Sequence, residues 1–419
     1  MTNPVDDSFA PGDGGRKAAL RLFSYAFLTS GSYLIARTLA DGLFLGSLGP
    51  GALPLAMLMA ACVVTPCSVF WTWASRRISM IRVVIVTRIA LAVATSAVAW
   101  LLPARMESVA LLWVLYLIAE LRGCLNTIQL TTLLNETLPR SAHHLAPSVA
   151  AGAPLAGIAT GLVIGLELGT VSYAQLLIGA AILDLASIIP LILRTGDSTE
   201  AREDGTAIET GEAEPVAPFE SAIVRSLVIL ISVKVAVLTI ASFEWKVAAA
   251  TVFSHRDEDL SRYFALFYAV CDVVTLLIQF FAAGGLLRRY GIAVGLAALP
   301  VALGLCLLGG LLSVSSAALL FWMTCAKGAD VLRRGLHDPT LMIIYGPIQA
   351  VRRRQVIGMV NGLLKPVMEA AVVFGIFAIG FLANRTESLF VVAAVLMPIW
   401  FASSVRTLSA YRASASVEE

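Results

Sequence analysis

The sequence predicts an all-α polytopic membrane protein of about twelve transmembrane helices, built as two parallel six-helix repeats. Three observations carry that expectation. The chain of 419 residues is 58% hydrophobic and only 14% charged, with a mean hydropathy of +0.85. A soluble domain carries about 25% charged residues, so too few polar side chains remain here to cover a water-facing surface, and lipid is the expected solvent. The apolar residues fall in runs of about 20, the length that crosses a bilayer as a helix. The two halves also echo each other: Trp113 recurs as Trp322 and Arg37 as Lys246, both 209 residues on, and Arg76-Arg77 recurs as Arg288-Arg289, 212 residues on. A repeat of that period is the mark of a duplicated multi-helix unit.

Taken in order, a polar tail (1–19) precedes the first half (20–194). Its start is acidic and lacks the basic and apolar regions of a secretory signal, so the first apolar run is expected to be a retained span. Spans are expected at 20–46, 52–74, 81–102, 109–134, 147–169 and 174–194. Residues 195–220 hold Asp197, Glu200, Glu203, Asp204, Glu209, Glu212 and Glu214 with Pro215 and Pro218, which predicts an acidic, flexible linker. The second half (221–408) gives spans at 222–252, 262–286, 291–313, 316–345, 355–382 and 388–408, and 409–419 form a short tail. Gly157, Gly161 and Gly165 put a small-residue face on span 5, which predicts close helix packing. Trp71, Trp73 and Trp100 lie near span ends, as interfacial anchors do. The six cysteines fall in apolar runs and read as packing thiols, and His143 and His144 read as solvated loop residues.

Basic residues set the expected orientation. With both termini cytoplasmic, that side holds Arg16, Lys17, Arg21, Arg76, Arg77, Arg82, Arg140, Arg288, Arg289, Arg352, Arg353, Arg354, Arg406 and Arg412. The other side holds Arg105, Arg256, Arg262 and Arg385. Such a protein belongs in a cell's inner membrane, of the bacterial kind. Six spans, a cytoplasmic linker and six more spans resemble the plan of the major facilitator superfamily, whose halves are related by an axis along the membrane normal.

Ionisable groups at span depth cost about 2.5–3.5 kcal/mol each on insertion scales, so they face a cavity or a partner. Span 1 carries Arg37 and Asp41; span 4 carries Glu120, Arg122, Asn126 and Gln129. Span 7 carries Lys234, Glu244 and Lys246; span 10 carries Lys327, Asp330, Arg333 and Arg334; span 11 carries Asn361, Lys365 and Glu369. In the facilitator plan, helices 1, 4, 7 and 10 line the central cavity. The substrate-binding candidates are therefore Arg37, Asp41, Glu120, Arg122, Asn126, Gln129, Glu244, Lys246, Lys327, Asp330, Arg333, Asn361, Lys365 and Glu369. The plainer alternatives stand beside this one. Arg37 with Asp41, and Lys365 with Glu369, also read as internal i,i+4 pairs; Arg333 and Arg334 also read as snorkelling side chains; Asp184 and Asp272 read as local structural partners. The cations together suit an anionic solute, because Arg offers bidentate bonds and Lys a compact charge.

The run from Tyr33 through Arg37 and Asp41 to Leu45, with Leu48-Gly49 and Leu53-Pro54 after it, resembles the first-helix region of the ATP/ADP antiporter (nucleotide transporter) family. So do Phe243-Glu244-Trp245-Lys246, the stretch from Ser261 through Tyr263-Phe264 and Phe267-Tyr268 to Gln279, and Leu287 to Gly291. His337-Asp338-Pro339, Tyr345-Gly346-Pro347, Arg352 to Arg354 and Asn361-Gly362 resemble its tenth and eleventh helices. The resemblance spans most of the chain. It also has departures: Ala40 stands where those exchangers carry a lysine, Ser242 where they carry an acid, Asn361 where they carry an aspartate and Glu369 where they carry a lysine.

The function expected is secondary active transport of a small, anionic solute by alternating access, like nucleotide exchange but without several of its charges. Two alternatives remain open: a proton-coupled facilitator for another metabolite or drug, and a non-transporting scaffold or receptor of the same fold. No nucleophile with a base at helical spacing and no metal-type acidic cluster occurs, so no enzyme is expected. Nor is a cofactor, metal or nucleic-acid partner. The lipid bilayer and the solute are the expected partners, and the chain is read as a monomer.

Overall fold

In a computed structural model of the chain, residues 13–104, 108–138, 145–193, 221–254, 256–346, 348, 356–357, 359–360, 364–383 and 387–415 are described. The 195–220 linker, Arg140, His143, His144, Arg352 to Arg354 and Asn361 lie outside them. Among the described residues the regular structure is helical apart from one bridge between Leu168 and Val171. Nine of the described helices are long and apolar enough to cross a membrane. The protein is thus an integral membrane protein, and the expected all-α polytopic class is the one it adopts.

The first four helices are α1 (Asp13–Leu48), α2 (Leu53–Arg77), α3 (Met80–Leu101) and α4 (Val109–Thr137). Pro50 opens a short 3-10 turn, Pro50–Ala52, after Gly49, which sits at φ 72 where a side chain would be strained. Helix α1 is not among the nine apolar spans: Ser24, Thr29, Ser30 and Ser32 run through it before Arg37 and Asp41. Helices α5 (Ala146–Ala150) and α6 (Gly152–Glu167) together make the span expected at 147–169, with α7 (Tyr173–Ala186) and α8 (Ile189–Ile192) next. Ser172 caps α7: its hydroxyl accepts the Gln175 amide hydrogen, and the Gln175 side chain accepts the Ser172 amide hydrogen.

The second half begins with α9 (Ala222–Val252) and α10 (Asp257–Leu277). A π turn, Ile278–Ala282, leads into α11 (Ala283–Leu311), which is broken at Gly291 (φ 71, ψ −170). The expected division between spans at 286 and 291 falls at this break, and only glycine adopts that backbone at little cost. The span expected at 316–345 is not one helix. It consists of α12 (Ser316–Gly328), α13 (Asp330–Leu332), a π turn Arg333–His337 and α14 (Asp338–Ile344). Pro339, with no amide hydrogen, sits in the first turn of α14, and the wider π turn ahead of it absorbs the lost bond. Helices α15 (Lys365–Ala383) and α16 (Glu387–Ala415) complete the chain.

Contacts divide the chain into two compact units. One holds Met1–Phe44, Val63–Asp204 and Ser261–Val273; the other holds Leu45–Cys62, Gly205–Leu260 and Val274–Glu419. In the first, Leu22, Tyr25, Trp71, Val84, Leu91, Leu125, Leu133 and Leu191 form the apolar core, and α3 packs along α7. In the second, α9 is the central post against which α12, α15 and α16 pack. Leu230, Val237, Trp245, Leu303, Met323, Ile344 and Trp400 are buried there.

The glycine face of α6 does what its spacing predicts, within the first unit. A side chain at Gly161 would run into the Ala265 carbonyl oxygen and the Ala269 Cβ; one at Gly157 would meet the Asp272 carboxylate; one at Gly165 would meet Leu266. The segment Ser261–Val273 is thereby held against α6 at a distance only glycine permits. By contrast, nothing lies within 4 Å of a side chain added at Gly179, in the middle of α7. Gly161→Ala is expected to lose about 1–3 kcal/mol through overpacking, and Gly179→Ala to gain about 0.5–1 kcal/mol through helix propensity. Thermal midpoints of the purified protein in detergent should move in opposite directions for the two variants.

Candidate functional site

Three groups of buried charge emerge from the helices, two in the first unit and one in the second. The first sits on α1 and α4. Arg37 and Asp41 are four residues apart on α1 and so share a face, with Arg37 Nε 2.9 Å from Asp41 Oδ2. Arg37 Nη1 reaches Glu120 Oε1 of α4 at 2.5 Å, and its guanidinium lies 5.8 Å from the Tyr116 ring centre. Asp41 is fully buried, whereas Glu120 keeps a quarter of its surface exposed. One cation thus serves two carboxylates, with Glu120 as the member that meets solvent.

The second group lies on α1, α3, α4 and α7 and is sealed. Asp184 accepts from Arg122 Nη2 at 2.7 Å and lies 3.4 Å from Arg88 Nη1. Arg122 Nη2 also donates to the Thr95 hydroxyl at 2.6 Å. Arg88 Nη2 donates to the Asn126 carbonyl oxygen at 2.9 Å and to the Tyr25 hydroxyl at 3.0 Å. The Tyr25 hydroxyl in turn donates to Gln129 Oε1 at 3.0 Å, and Gln129 Nε2 donates to Thr87 Oγ1 at 2.6 Å. Arg88, Arg122 and Asp184 are all fully buried. Two guanidiniums around one carboxylate leave a surplus positive charge, and the oxygens of Tyr25, Asn126 and Thr95 are the dipoles that offset it.

The third group lies in the second unit. Lys234 Nζ of α9 donates to Asp338 Oδ1 at 2.9 Å. Asp330 accepts from Lys327 Nζ at 2.8 Å and from Arg333 Nε at 3.0 Å, and Arg333 Nη1 stands 3.9 Å from Asp338 Oδ2. The π turn brings these groups together. It displaces Arg333 from α-helical register, so that one guanidinium spans Asp330 behind it and Asp338 ahead. Lys365 and Glu369 of α15 lie within electrostatic reach of the same cluster. Lys327 Nζ also sits 6.0 Å from the ring centre of Trp245 on α9. Arg333 remains 34% exposed and Lys327 21%. Among the described residues five cations (Lys234, Lys327, Arg333, Arg334, Lys365) act on three acids (Asp330, Asp338, Glu369), and Arg333 and Lys327 stay partly exposed.

Glu244 and Lys246 stand apart on α9, both nearly fully buried. Lys246 has a polar or ring partner of its own. His337, also fully buried, lies tilted over Trp400 with ring centres 6.2 Å apart, and neither ring nitrogen has a hydrogen-bond partner among the described residues. Asn361 cannot be placed, since it lies outside the described residues.

Several sequence candidates therefore come together: Arg37, Asp41 and Glu120 in one group; Lys327, Asp330, Arg333, Lys365 and Glu369 in another. Arg122, Asn126 and Gln129 instead join a closed network, whose other members Arg88, Asp184 and Tyr25 sequence reasoning did not place there. A lone aspartate and a lone arginine in separate apolar spans were the available signal, since each needs a partner from another helix. Asp338 was legible only as part of the His337-Asp338-Pro339 motif. Among the described residues no cluster of His, Cys, Asp or Glu is arranged to hold a metal ion.

No family model and no curated protein matches the chain. Solved structures do match its fold over nearly the whole length. A mutant of the peptide transporter POT is similar at TM-score 0.64 and 14% identity, covering 93% of this chain and 95% of that one. The D-xylose-proton symporter is similar at TM-score 0.60 and 12% identity, covering 91% and 97%. A mutant of the nucleoside transporter NupG is similar at TM-score 0.58 and 13% identity, covering 96% and 100%. The major facilitator-like fold expected from the sequence is the fold this chain has.

The sealed network makes a stability prediction. Asp184→Asn leaves two buried guanidiniums without a counter-charge and is expected to cost about 3–5 kcal/mol, against about 1–3 kcal/mol for Asn126→Ala, which removes one acceptor. Heating the detergent-solubilised variants and following the monodisperse peak by size exclusion should rank them in that order.

Proposed function

We propose that the protein is a secondary transporter that moves a small anionic solute by alternating access. The observation that carries this reading is the surplus of partly exposed positive charge around Asp330 and Asp338 in the second unit. Lipid-embedded charge of that density is costly, and a group that recurrently binds an anion offsets the cost. Arg333 presents the planar fork suited to carboxylate or phosphate, and Lys327 a compact charge beside it. Asp330 and Asp338 hold these cations in place while the site is empty, which lowers the cost of keeping it dry. The fold is shared with carriers of peptides, sugars and nucleosides, which supports transport as a class and leaves the solute to be read from the charges.

Within that reading, the motifs around Arg37, Trp245-Lys246 and His337-Asp338 support descent from ATP/ADP exchangers. The substitutions at Ala40, Ser242, Asn361 and Glu369 support a solute other than a nucleotide. No catalytic step is invoked, and the monomer in a cytoplasmic-type membrane suffices. A second reading, a non-transporting scaffold, is favoured by one observation: Arg37 is already engaged by both Asp41 and Glu120. It requires that no solute move and that a partner be held by residues 195–220.

A thermal-shift screen of anionic metabolites, ATP and ADP included, is the direct test. A true ligand at a hundred times its Kd should stabilise the purified protein by about 2.7 kcal/mol. In vesicles, Arg333→Gln and Lys327→Gln should cut uptake of that ligand at least tenfold while the protein stays folded. Wild-type rates in both variants would remove the cluster from the mechanism. Nucleotide exchange would need a counter-substrate inside the vesicle and would ignore a protonophore.

A further inference from the structure

Glu244 differs from every other acid described in the spans. It lies in the last third of α9, is 3% exposed, and its Oε1 has no hydrogen-bond partner among the described residues. Among the described residues no charged side chain acts on it. Asp41, Asp184, Asp330 and Asp338 each have a cation within 4.0 Å. The chain neighbours of Glu244, Phe243 and Trp245, are buried too.

The charges on the helices packed against α9 are otherwise placed. Lys327 of α12 is bonded to Asp330, over the face of Trp245. Lys365 and Glu369 of α15 belong with the Asp338 cluster, to which α9 contributes Lys234, ten residues before Glu244. Arg406 of α16 lines a cavity with Ser226, near the far end of α9. Burying an ionised carboxylate with no counter-charge is prohibitive, whereas the neutral acid costs only a polar group.

We propose that Glu244 carries an exchangeable proton and couples solute movement to a proton gradient. The inference rests on the transporter reading above. In the resting protein the carboxyl is neutral. When the surroundings of α9 admit water, its O–H bond breaks, the proton passes to a water molecule, and the carboxylate left behind is solvated by the water admitted there. Return of a proton from water restores the neutral acid, so charge and atoms balance over a cycle.

Infrared spectroscopy of the full chain in lipid vesicles tests the proton site without any solute. At neutral pH the spectrum should contain the carbonyl stretch of a protonated carboxylic acid, shifted in heavy water. That band should vanish in Glu244→Gln and persist in Asp330→Asn. Glu244→Gln mimics the neutral acid, so it should keep the wild-type thermal midpoint at neutral pH. Absence of the band in the wild type, its survival in Glu244→Gln, or a variant that fails to fold overturns the proposal. With a solute found by screening, accumulation should collapse with a protonophore, and Glu244→Gln should lose at least tenfold of accumulation while retaining solute exchange. Accumulation that ignores the protonophore also overturns the coupling. Failure to move any solute would instead overturn the transporter reading, with the infrared band still deciding whether Glu244 holds a proton.

Discussion

Charge inside lipid must find its counter-charge within the protein, and most of the helix arrangement inside each unit follows from that. Asp184 is the clearest case. It is the acid that neutralises Arg88 and Arg122, and those three residues lie on three different helices. Removing Asp184 leaves both guanidiniums buried without their acid, so the ion pairs tie α3, α4 and α7 together through one residue. Tyr25 adds α1 to the same network through its hydroxyl. The apolar core around Leu91, Leu125 and Leu133 then fills the space whose dimensions the polar bonds have set.

The second unit applies the same constraint differently. Its ion pairs are clustered where the backbone leaves the α-helix, and several members keep contact with solvent. π turns are rare and recur at functional sites, and this one lies in the same stretch as Asp330, Arg333 and Asp338. The sealed network of the first unit holds helices; the cluster of the second has charge in excess beside a π turn. That contrast is what the proposed binding role of the second cluster rests on.

The fold class was legible because bilayer thickness imposes a length on every span, and length survives in composition. The boundary near Gly291 was legible because a left-handed turn admits few residues other than glycine. The breaks inside the stretch 316–345 were not, since Ser316 to Tyr345 is apolar enough to read as a single span, and only Pro339 hints at the interruption. Pairings within one helix, such as Arg37 with Asp41, follow from a spacing of four. Pairings between helices, such as Arg122 with Asp184 or Lys234 with Asp338, depend on rotation about each helix axis, which one sequence does not encode in any local pattern. The isolation of Glu244 is of the same kind: its neighbours in the chain look like those of a paired acid, and only packing shows that no cation of the described residues reaches it.

The sealed network also bears on how the protein is made. Ribosomes deliver the chain from the amino terminus, so α3 and α4 reach the membrane before α7. Asp184 lies 96 residues after Arg88 and 62 after Arg122. For the time needed to synthesise that stretch, two arginines sit in or beside the insertion channel without their acid. Released singly into lipid, each early helix would carry an unpaired arginine at a cost of about 2.5–3.5 kcal/mol, which the arrival of α7 removes. The order of synthesis thus leaves the charge balance of α3 and α4 incomplete until Asp184 of α7 is made.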